Sequence, residues 1–397
     1  MKNGFMMLFI LLLLFILSGC WDKRELNELA ILTGLAIDKE DEEYKITAQV
    51  LNPGEIAGKT QSTRVSVSTY ETTGRSVFEA LRSLTLTSPR KLYLSHLRIV
   101  VLGEELAAQG IEKTLDFLSR DHEVRTDYFI VVSKEKDASS ILEVLTPIDK
   151  IPTSKIFNSI EASEKSWAPT KGVDLEDLIA RLSSEGVNPV LTGVKVEGDI
   201  DIGGGLPNVE RIPSPSVISL DYLGVFKKDK LVGWLNKNES KAFNYITDNV
   251  TNTVSVEKCE GGNVTLEIYE TKTDVKVAEA NGMPKITVKV ESDVSIGEVR
   301  CNKNILGEDK LKELAEKLDK QLREILNEGL TKAKELQTDI FGFGEQIHKQ
   351  NPKLWNRVKE NWNEEGFVQL DVQIESQYNI RRTGTIKESF QWKAGGD

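Results

Sequence analysis

The feature that most restricts this chain is an unbroken apolar run near its amino terminus. Every residue from Phe5 to Leu17 is apolar, 13 residues in all, and Lys2 is the only charged side chain before the run. A helix that spans a bilayer needs about 20 residues, so this run is too short for a permanent span. A basic start, an apolar stretch of this length and the small pair Ser18 and Gly19 are the parts of a secretory signal. The sequence therefore predicts export, and the fold must be built from the residues that follow.

The signal ends at a cysteine, in the sequence "LSGC". This motif resembles the lipobox of bacterial lipoproteins, in which the cysteine sulfur receives a diacylglyceryl group and the preceding residues are removed. A thiolate is the soft nucleophile that this alkylation needs. We therefore expect residues 1–19 to be a cleaved signal peptide and Cys20 to be the S-diacylglyceryl residue, which can also accept an N-acyl group. Two acyl chains anchor stably, whereas one chain holds only marginally. The alternative is an uncleaved short anchor that contains a cysteine by chance.

The charge of the chain limits its partners. The full sequence has 51 Lys and Arg and 62 Asp and Glu, and removal of residues 1–19 takes away only Lys2, which leaves 50 against 62 and a net charge of −12. Nucleic acid and anionic lipid repel a protein of this charge. We therefore expect no nucleic-acid partner, and we expect membrane attachment through the acyl chains.

Two further cysteines, Cys259 and Cys301, follow Cys20. Outside the cytoplasm they are permitted to form a disulfide. If paired, they would close a loop of about 42 residues and stabilise the fold by about 4 kcal/mol in the chain-entropy model. Two unpaired, half-buried cysteines on neighbouring strands are the alternative, and the sequence does not decide between them.

Beyond the leader, strand patterns alternate with helix patterns, which predicts a multi-domain α+β fold with mixed or antiparallel sheets and packed helices. The runs "ILTGLAID", "YKITAQVL" and "TRVSVSTYETTG" are typical of antiparallel strands, and Asp174 is a candidate N-cap for a helix over "LEDLIARLSS". The segment from Gly198 to Pro215 is rich in Gly, Pro, Asn and Ser and is the best linker. It suggests an N-terminal α+β region over residues 20–205, in one or two lobes, and a C-terminal α+β domain over residues 206–397.

A helix that begins near Glu308 has the longest periodic pattern in the chain. Its apolar residues recur every three or four positions over some 27 residues, which makes a rod of roughly 40 Å. The stripe consists of Leu311, Leu314, Leu318, Leu322, Ile325, Leu326, Leu330 and Ala333. We expect this face to lie across a sheet, with a partner-binding or coiled-coil seam as the alternative. Gly329 argues against the coiled coil, because glycine weakens a helix.

An aromatic cluster follows the long helix, made of Phe341, Phe343, Trp355 and Trp362. The two tryptophans are seven residues apart, which places them on one face if the segment is helical. We expect the cluster to pack under the long helix as a satellite core. The alternative is an amphipathic patch that faces a membrane partner.

Few side chains suggest catalysis. The histidines His96, His122 and His348 are far apart, and none has a second ligand three or four residues away, whereas a metal site needs clustered ligands. His96 lies in an apolar, strand-like stretch, so we expect a core histidine there. The sequence contains no G-x-S-x-G, Walker or H-E-x-x-H motif. We therefore predict no enzyme activity, no catalytic residue, no metal and no cofactor, and we assign no ligand-binding residue.

Several runs together carry a family resemblance that covers nearly the whole mature chain and starts at Cys20, Trp21 and Asp22. They are "GCWDKRELNELAILTGLAID", "TTGRSVFEALRSL", "SPRKLYLSHLRIVVLGEELA", "FLSRDHEVR", "GVFKKDKLVGWLN" and "DIFGFGEQIHKQNPKLW". They resemble the Ger(x)C family of spore germination lipoproteins, the C subunits of nutrient germinant receptors.

The resemblance implies a lipoprotein held through Cys20 on the outer face of the spore's inner membrane. It also implies two integral-membrane partner subunits, one of them transporter-like, with which the protein responds to small nutrients. No catalytic residue is implied, and no nutrient-contacting residue is transferred, because the ligand pocket of such complexes is thought to lie in the transporter-like subunit. The function implied is assembly and signal coupling.

Two other classes of function stay open from the residues alone. One is a solute-binding lipoprotein that captures the nutrient itself and hands it to the membrane subunits. The other is an envelope hydrolase, against which the missing nucleophile and metal patterns argue.

Overall fold

The computed structural model describes residues 28–57, 64–134, 137–302 and 307–382. The predicted signal peptide and Cys20 lie outside the described residues.

The described strands are, in chain order, β1 (Leu29–Glu40), β2 (Glu43–Leu51), β3 (Val67–Gly74), β4 (Lys91–Tyr93), β5 (Ile99–Gly103), β6 (Phe129–Ser133), β7 (Val190–Gly198), β8 (Ser216–Lys227), β9 (Lys230–Trp234), β10 (Thr253–Cys259), β11 (Gly262–Ala280), β12 (Met283–Val299) and β13 (Asp371–Arg382). The described α-helices are α1 (Pro53–Ala57), α2 (Val77–Ser83), α3 (Glu104–Gln109), α4 (Glu112–Arg120), α5 (Ala138–Glu143), α6 (Pro152–Ser166), α7 (Leu175–Ser183), α8 (Ile200–Gly203), α9 (Lys237–Ile246), α10 (Glu308–Glu335), α11 (Phe343–Gln350) and α12 (Pro352–Val358). Single 3₁₀ turns occur at Leu84–Leu86, Leu94–His96 and Leu206–Asn208, and a π-helical turn occurs at Trp362–Gly366.

The first sheet has parallel strands at its centre and antiparallel strands at its flanks. Its order is β3-β2-β1-β5-β6-β7-β8-β9, with β4 paired to the start of β1. Strands β1, β5, β6 and β7 run parallel to one another, whereas β2 and β3 on one side and β8 and β9 on the other pair antiparallel. The predicted antiparallel pairing of the first three strands is confirmed, and the sheet as a whole is mixed.

Helices cover both faces of this sheet, and its central strands are therefore buried on both sides. Successive residues of β5 point to opposite faces: Val100 and Leu102 enter a core covered by α2, α4 and α7, and Ile99 and Val101 enter a core under α5 and α6. Asp174 caps α7 by accepting the N–H of Asp177 at 2.8 Å, as its position before an apolar run predicts.

The second sheet is a four-stranded layer, in the order β10-β11-β12-β13, with α10 laid across one face. Its first three strands are antiparallel and β13 runs parallel to β12, so α10 lies in the crossover between them. Leu318, Leu322 and Leu326 of α10 are buried in this core. The prediction of a core face is therefore confirmed. Gly329 is buried where α9 crosses α10, and a Cβ there would lie 2.4 Å from Cβ of Ala242.

Two details differ from the sequence predictions. The apolar, strand-like stretch that contains His96 is not one strand: β4 is followed by a 3₁₀ turn and then by β5. His96 lies in that turn and is exposed, so the prediction of a core histidine is wrong. The Gly- and Pro-rich segment joins β7 to β8, which are neighbours in the first sheet. By sheet membership the chain leaves the first unit after Trp234, and the division at 205/206 stays a prediction.

Candidate functional site: the joint between the two sheets

The two sheets share one hydrophobic core. Val190 of β7 and Leu223 and Val225 of β8 belong to the same buried cluster as α10 and the strands of the second sheet. Polar contacts next to this cluster tie the loop Glu185–Asn188 of the first unit to the segments Asp339–Gly344 and Trp362–Glu364 of the second. We call these three segments the joint.

The centre of the joint is the carboxylate of Asp339, which is fully buried. Its Oδ1 accepts the backbone N–H groups of Phe341, Gly342 and Phe343, at 3.1, 2.9 and 3.2 Å. Its Oδ2 accepts the N–H of Gly344 and the indole Nε1–H of Trp362, both at 2.9 Å. Five donors thus converge on one side chain.

Local sequence explains why the backbone can turn around this carboxylate. Gly342 has φ of +76°, in the left-handed region that favours glycine. Consecutive N–H groups then point inward, which makes a concave anion site. Burial raises the pKa of Asp339 to about 6, and the hydrogen bonds from Gly344, Trp362, Phe343 and Gly342 oppose that rise. Asp339 occupies the concavity itself, so this anion site is filled by the protein's own side chain.

Two asparagines connect this centre to the first unit. Nδ2 of Asn188 donates to Oδ1 of Asn363 at 2.9 Å, and the same oxygen accepts the N–H of Asp339 at 2.9 Å. The N–H of Asn188 donates to the carbonyl oxygen of Asp339 at 2.8 Å. Oδ1 of Asn188 accepts the N–H of Lys228, in the turn between β8 and β9, at 3.0 Å. Each asparagine therefore bonds to more than one segment, which fixes the register between the two units.

Glycines allow the backbones of the two units to touch. A Cβ on Gly186 would lie 2.4 Å from the backbone N of Glu345, and a Cβ on Gly344 would lie 2.8 Å from Cα of Gly186. Nearby, Nζ of Lys227 lies 2.8 Å from a carboxylate oxygen of Glu364. The joint is thus closely packed inside and has an ion pair at its edge.

An open cleft of about 900 Å³ lies beside the joint, between α4 and the turn that contains Trp362. Both units line it, and most of its polar lining is charged, with Lys227, Lys228, Asp229, Lys359 and Glu360 among the residues. It contains no histidine or cysteine. A charged, two-sided cleft of this kind is suited to binding a polar partner.

The three histidines lie in different surroundings. The ring of His96 is tilted against that of Tyr93, with centroids 5.6 Å apart, and His348 stacks on Trp355 at 6.2 Å. His122 lines a separate groove near α2 and α4. Within the described ranges no group of three His, Cys, Asp or Glu side chains could hold a metal ion. Over the same ranges, no helix combines the length and the apolar character that crossing a membrane requires.

The aromatic cluster is core, as the first interpretation predicted. Trp355 and Trp362 are each 2% exposed, and their rings meet edge to face at 5.4 Å. The alternative of a membrane-facing patch is therefore wrong for these two side chains. Their shared helical face is also not observed, because α12 ends at Val358 and Trp362 begins a π-helical turn.

Cys259 and Cys301 lie together at the end of the second sheet, joined as a disulfide with Cα atoms 5.7 Å apart. Cys259 ends β10, and Cys301 follows β12. Cys20, the predicted lipidation residue, lies outside the described residues, nine positions before Leu29, where β1 begins.

These features define a class: a two-sheet α+β protein whose joint orders two units and whose clefts are suited to binding. Two family models match this chain and together cover most of its length. One, described as the spore germination protein N-terminal domain, covers residues 22–196, and the other, described as spore germination B3/GerAC like, C-terminal, covers residues 221–384. The chain belongs to this family of spore germination proteins.

Curated relatives agree with this assignment along the full length. Spore germination protein KC of Bacillus subtilis (strain 168) is 31% identical over 96% of this chain and 97% of its own. Spore germination protein B3 of the same organism is 26% identical over 97% of this chain and 98% of its own. The crystal structure of the GerBC protein matches with a TM-score of 0.54 and 22% identity, over 87% of this chain and 96% of that one. That match supports the α+β fold predicted from sequence.

Proposed function

We propose that this protein is the lipid-anchored, non-enzymatic C subunit of a nutrient germinant receptor. Family membership supports a role in spore germination. The sequence "LSGC" supports a diacylglyceryl anchor on Cys20, on the outer face of the spore's inner membrane. The proposed partners are two integral-membrane subunits, one of them transporter-like, and the proposed role is assembly and signal coupling.

The observation that carries the coupling role is the joint. A subunit that couples partners must keep its contact surfaces in a fixed relation, because a loose linker absorbs displacement. Asp339, Asn188 and Asn363 form a hydrogen-bonded network across the two units, beside a continuous hydrophobic core. Movement of either unit is therefore expected to be passed to the other.

Replacing Cys20 tests the anchor directly. In spores that contain Cys20→Ala, we expect the protein to leave the membrane fraction and germination through this receptor to be lost. Ser18→Ala is the matched control, because it keeps a small residue beside the cleavage site and should leave both readouts unchanged. A full germination response from an unlipidated, soluble protein would contradict the proposal.

A solute-binding lipoprotein is the second candidate, and one groove favours it. The groove lies between α2 and α4 and has a volume of about 570 Å³, and its lining combines the apolar side chains Phe78 and Phe117 with charged side chains such as Arg82. That volume lies within the range of small-molecule sites, about 300–1,000 Å³. A thermal shift of the chain from residue 20 onward with amino acids or sugars, abolished by Phe117→Asp, would support this candidate. An unchanged melting temperature across a broad panel would count against it.

A further inference from the structure

Three apolar side chains are far more exposed than any other large hydrophobic side chain in the described ranges. Leu86 is 86% exposed, Ile148 is 94% exposed and Ile212 is fully exposed. The next most exposed, Phe78 and Met283, reach only 48%. Single exposed apolar residues are ordinary on protein surfaces. The location of these three is the informative feature.

Leu86 ends a 3₁₀ turn, whereas Ile148 and Ile212 lie in loops, and contacts link these three segments to the start of β1. Ala30 lines a groove together with Ser88 to Arg90, which closely follow Leu86, and with Leu206. Leu206 begins the 3₁₀ turn that leads towards Ile212. Within that turn, Asn208 donates its side-chain N–H to the carbonyl oxygen of Leu145 at 2.8 Å, which ties this loop to the one that contains Ile148.

Chain length limits how far each side chain can lie from these contacts. At about 3.3–3.6 Å per residue, Leu86 is within about 7 Å of Ser88, Ile148 within about 11 Å of Leu145 and Ile212 within about 15 Å of Asn208. Each of the three therefore lies within about 15 Å of a residue that takes part in these contacts. We call Leu86, Ile148 and Ile212 the apolar rim.

The start of β1 is also where the proposed anchor attaches. Leu29 follows Cys20 by nine positions, and nine steps of fully extended chain reach only about 30 Å. An anchor at Cys20 therefore holds this end of the protein near the lipid surface. At such a distance the effective concentration of the membrane is high, so weak contacts can form that would not form in free solution.

We propose that the apolar rim is a lipid-docking surface, whose three side chains enter the interfacial layer of the membrane and fix the orientation of the first unit. This proposal rests on the proposed function, because it takes the lipid anchor as the reason the rim faces a membrane. The occupant is the lipid surface itself, in the headgroup and upper acyl region.

Charge around the rim agrees with insertion of apolar side chains. Arg211 precedes Ile212 and follows Glu210, while Asp149 and Lys150 follow Ile148. Each loop tip thus places an acid and a base beside its isoleucine, so neither tip has a large local charge of one sign. The long basic side chains can reach towards headgroups while the isoleucines enter the apolar layer.

The test measures the environment of each rim position while the protein is held on vesicles by a tether independent of acylation. The chain from residue 20 onward is made with Cys20→Ser and a hexahistidine tag at its amino terminus. It is bound to vesicles of phosphatidylethanolamine and phosphatidylglycerol that contain a small fraction of nickel-chelating lipid. One cysteine is introduced at a time, as Leu86→Cys, Ile148→Cys or Ile212→Cys, and is labelled with an environment-sensitive dye.

Val256→Cys and Met283→Cys are matched controls, because both positions are half-exposed apolar residues on the second sheet. The proposal predicts a blue shift of emission and quenching by nitroxide lipids at the rim positions, and neither effect at the controls. Water-like emission at all three rim positions on vesicle-bound protein would overturn it. Because the tag supplies the tether, failure of Cys20 acylation is detected separately, by the fractionation of Cys20→Ala spores.

Discussion

Replacing Asp339 with asparagine tests whether the joint holds the two units together. The substitution keeps the size and shape of the side chain and one acceptor oxygen, Oδ1, which receives three backbone N–H groups. It replaces Oδ2 with an NH₂ group. The N–H of Gly344 and Nε1–H of Trp362 then face a donor instead of an acceptor.

The expected loss follows from these two donors. A buried donor left without a partner costs about 1–3 kcal/mol, so two donors give a loss of about 2–6 kcal/mol in the free energy of unfolding. Flipping the amide does not avoid the loss, because the NH₂ group would then face the three donors on Oδ1. A typical domain has about 5–15 kcal/mol in total, so we expect Asp339→Asn to unfold at a clearly lower urea concentration.

The measurement is urea unfolding of the chain from residue 20 onward, followed by tryptophan fluorescence, with Asp371→Asn as control. Asp371 has a side chain 66% exposed, 3.2 Å from Nζ of Lys285, and its substitution should change stability by less than about 0.5 kcal/mol. Trp362→Phe removes one of the two conflicting donors. The double variant should therefore lose less than the sum of the single losses, by about 0.5–3 kcal/mol. Asp339→Asn with the stability of the parent would refute the assigned hydrogen-bond pattern.

Three further predictions concern single features. Replacing Cys259 and Cys301 together with serine should lower the free energy of unfolding by about 4 kcal/mol in the chain-entropy model, because they are separated by 42 residues; an unchanged urea midpoint would contradict this. Burial raises the pKa of Asp38 to about 6 in the folded protein. The protonated Asp38 side chain therefore stabilises the fold fully below about pH 4. As pH rises through about 6, this stabilisation is lost, and the free energy of unfolding falls by up to about 3 kcal/mol. Relative to Asp38→Asn, the parent should therefore lose stability between these pH values, and parallel pH profiles would show otherwise. Gly329→Ala should destabilise the fold despite the better helix propensity of alanine, because the new Cβ would lie 2.4 Å from Cβ of Ala242. Gly54→Ala, where no atom lies within 4 Å of the new Cβ, should be neutral or stabilising. Equal effects of the two substitutions on the free energy of unfolding would refute the close approach of α9 and α10.

Periodic features of this fold were predictable because burial on one face imposes a repeat. The stripe on α10 follows from three- and four-residue spacing, and Leu318, Leu322 and Leu326 are buried as expected. The hairpin turn at Lys228 also follows from local sequence, between β8 and β9. These elements depend on neighbours in the chain, so the chain itself contains the signal.

Features that depend on pairing between distant segments were not predictable in the same way. The Gly- and Pro-rich segment before Ser216 is interpreted from its composition as a linker, but composition does not say whether the strands on either side pair with each other, as β7 and β8 do. His96 was expected in the core because its neighbours are apolar. The chain instead forms a 3₁₀ turn there, and Leu94 and Leu97 are buried in place of the histidine.

The joint was missed because most of its hydrogen bonds involve backbone groups or side chains distant in sequence. Asn188 and Asn363 are 175 residues apart, and neither belongs to a periodic pattern. One local signal was present: in "DIFGFG" an aspartate comes shortly before two glycines. That spacing allows several N–H groups to turn towards one carboxylate.

The parallel centre of the first sheet relates the joint to the proposed lipid-docking surface. Strands β1 and β7 run in the same direction, with β5 and β6 between them. Leu29 begins β1 and Asn188 lies just before β7, so both lie towards the same edge of the sheet. Neighbouring strands are about 4.8 Å apart, so the three spacings from β1 to β7 amount to only about 14 Å across the sheet. If the apolar rim at the start of β1 rests on lipid, the joint lies at the membrane-facing edge as well. The second unit is then held close to the surface where the proposed partner subunits are embedded, and a change in their position can reach it without passing through the rest of the first sheet.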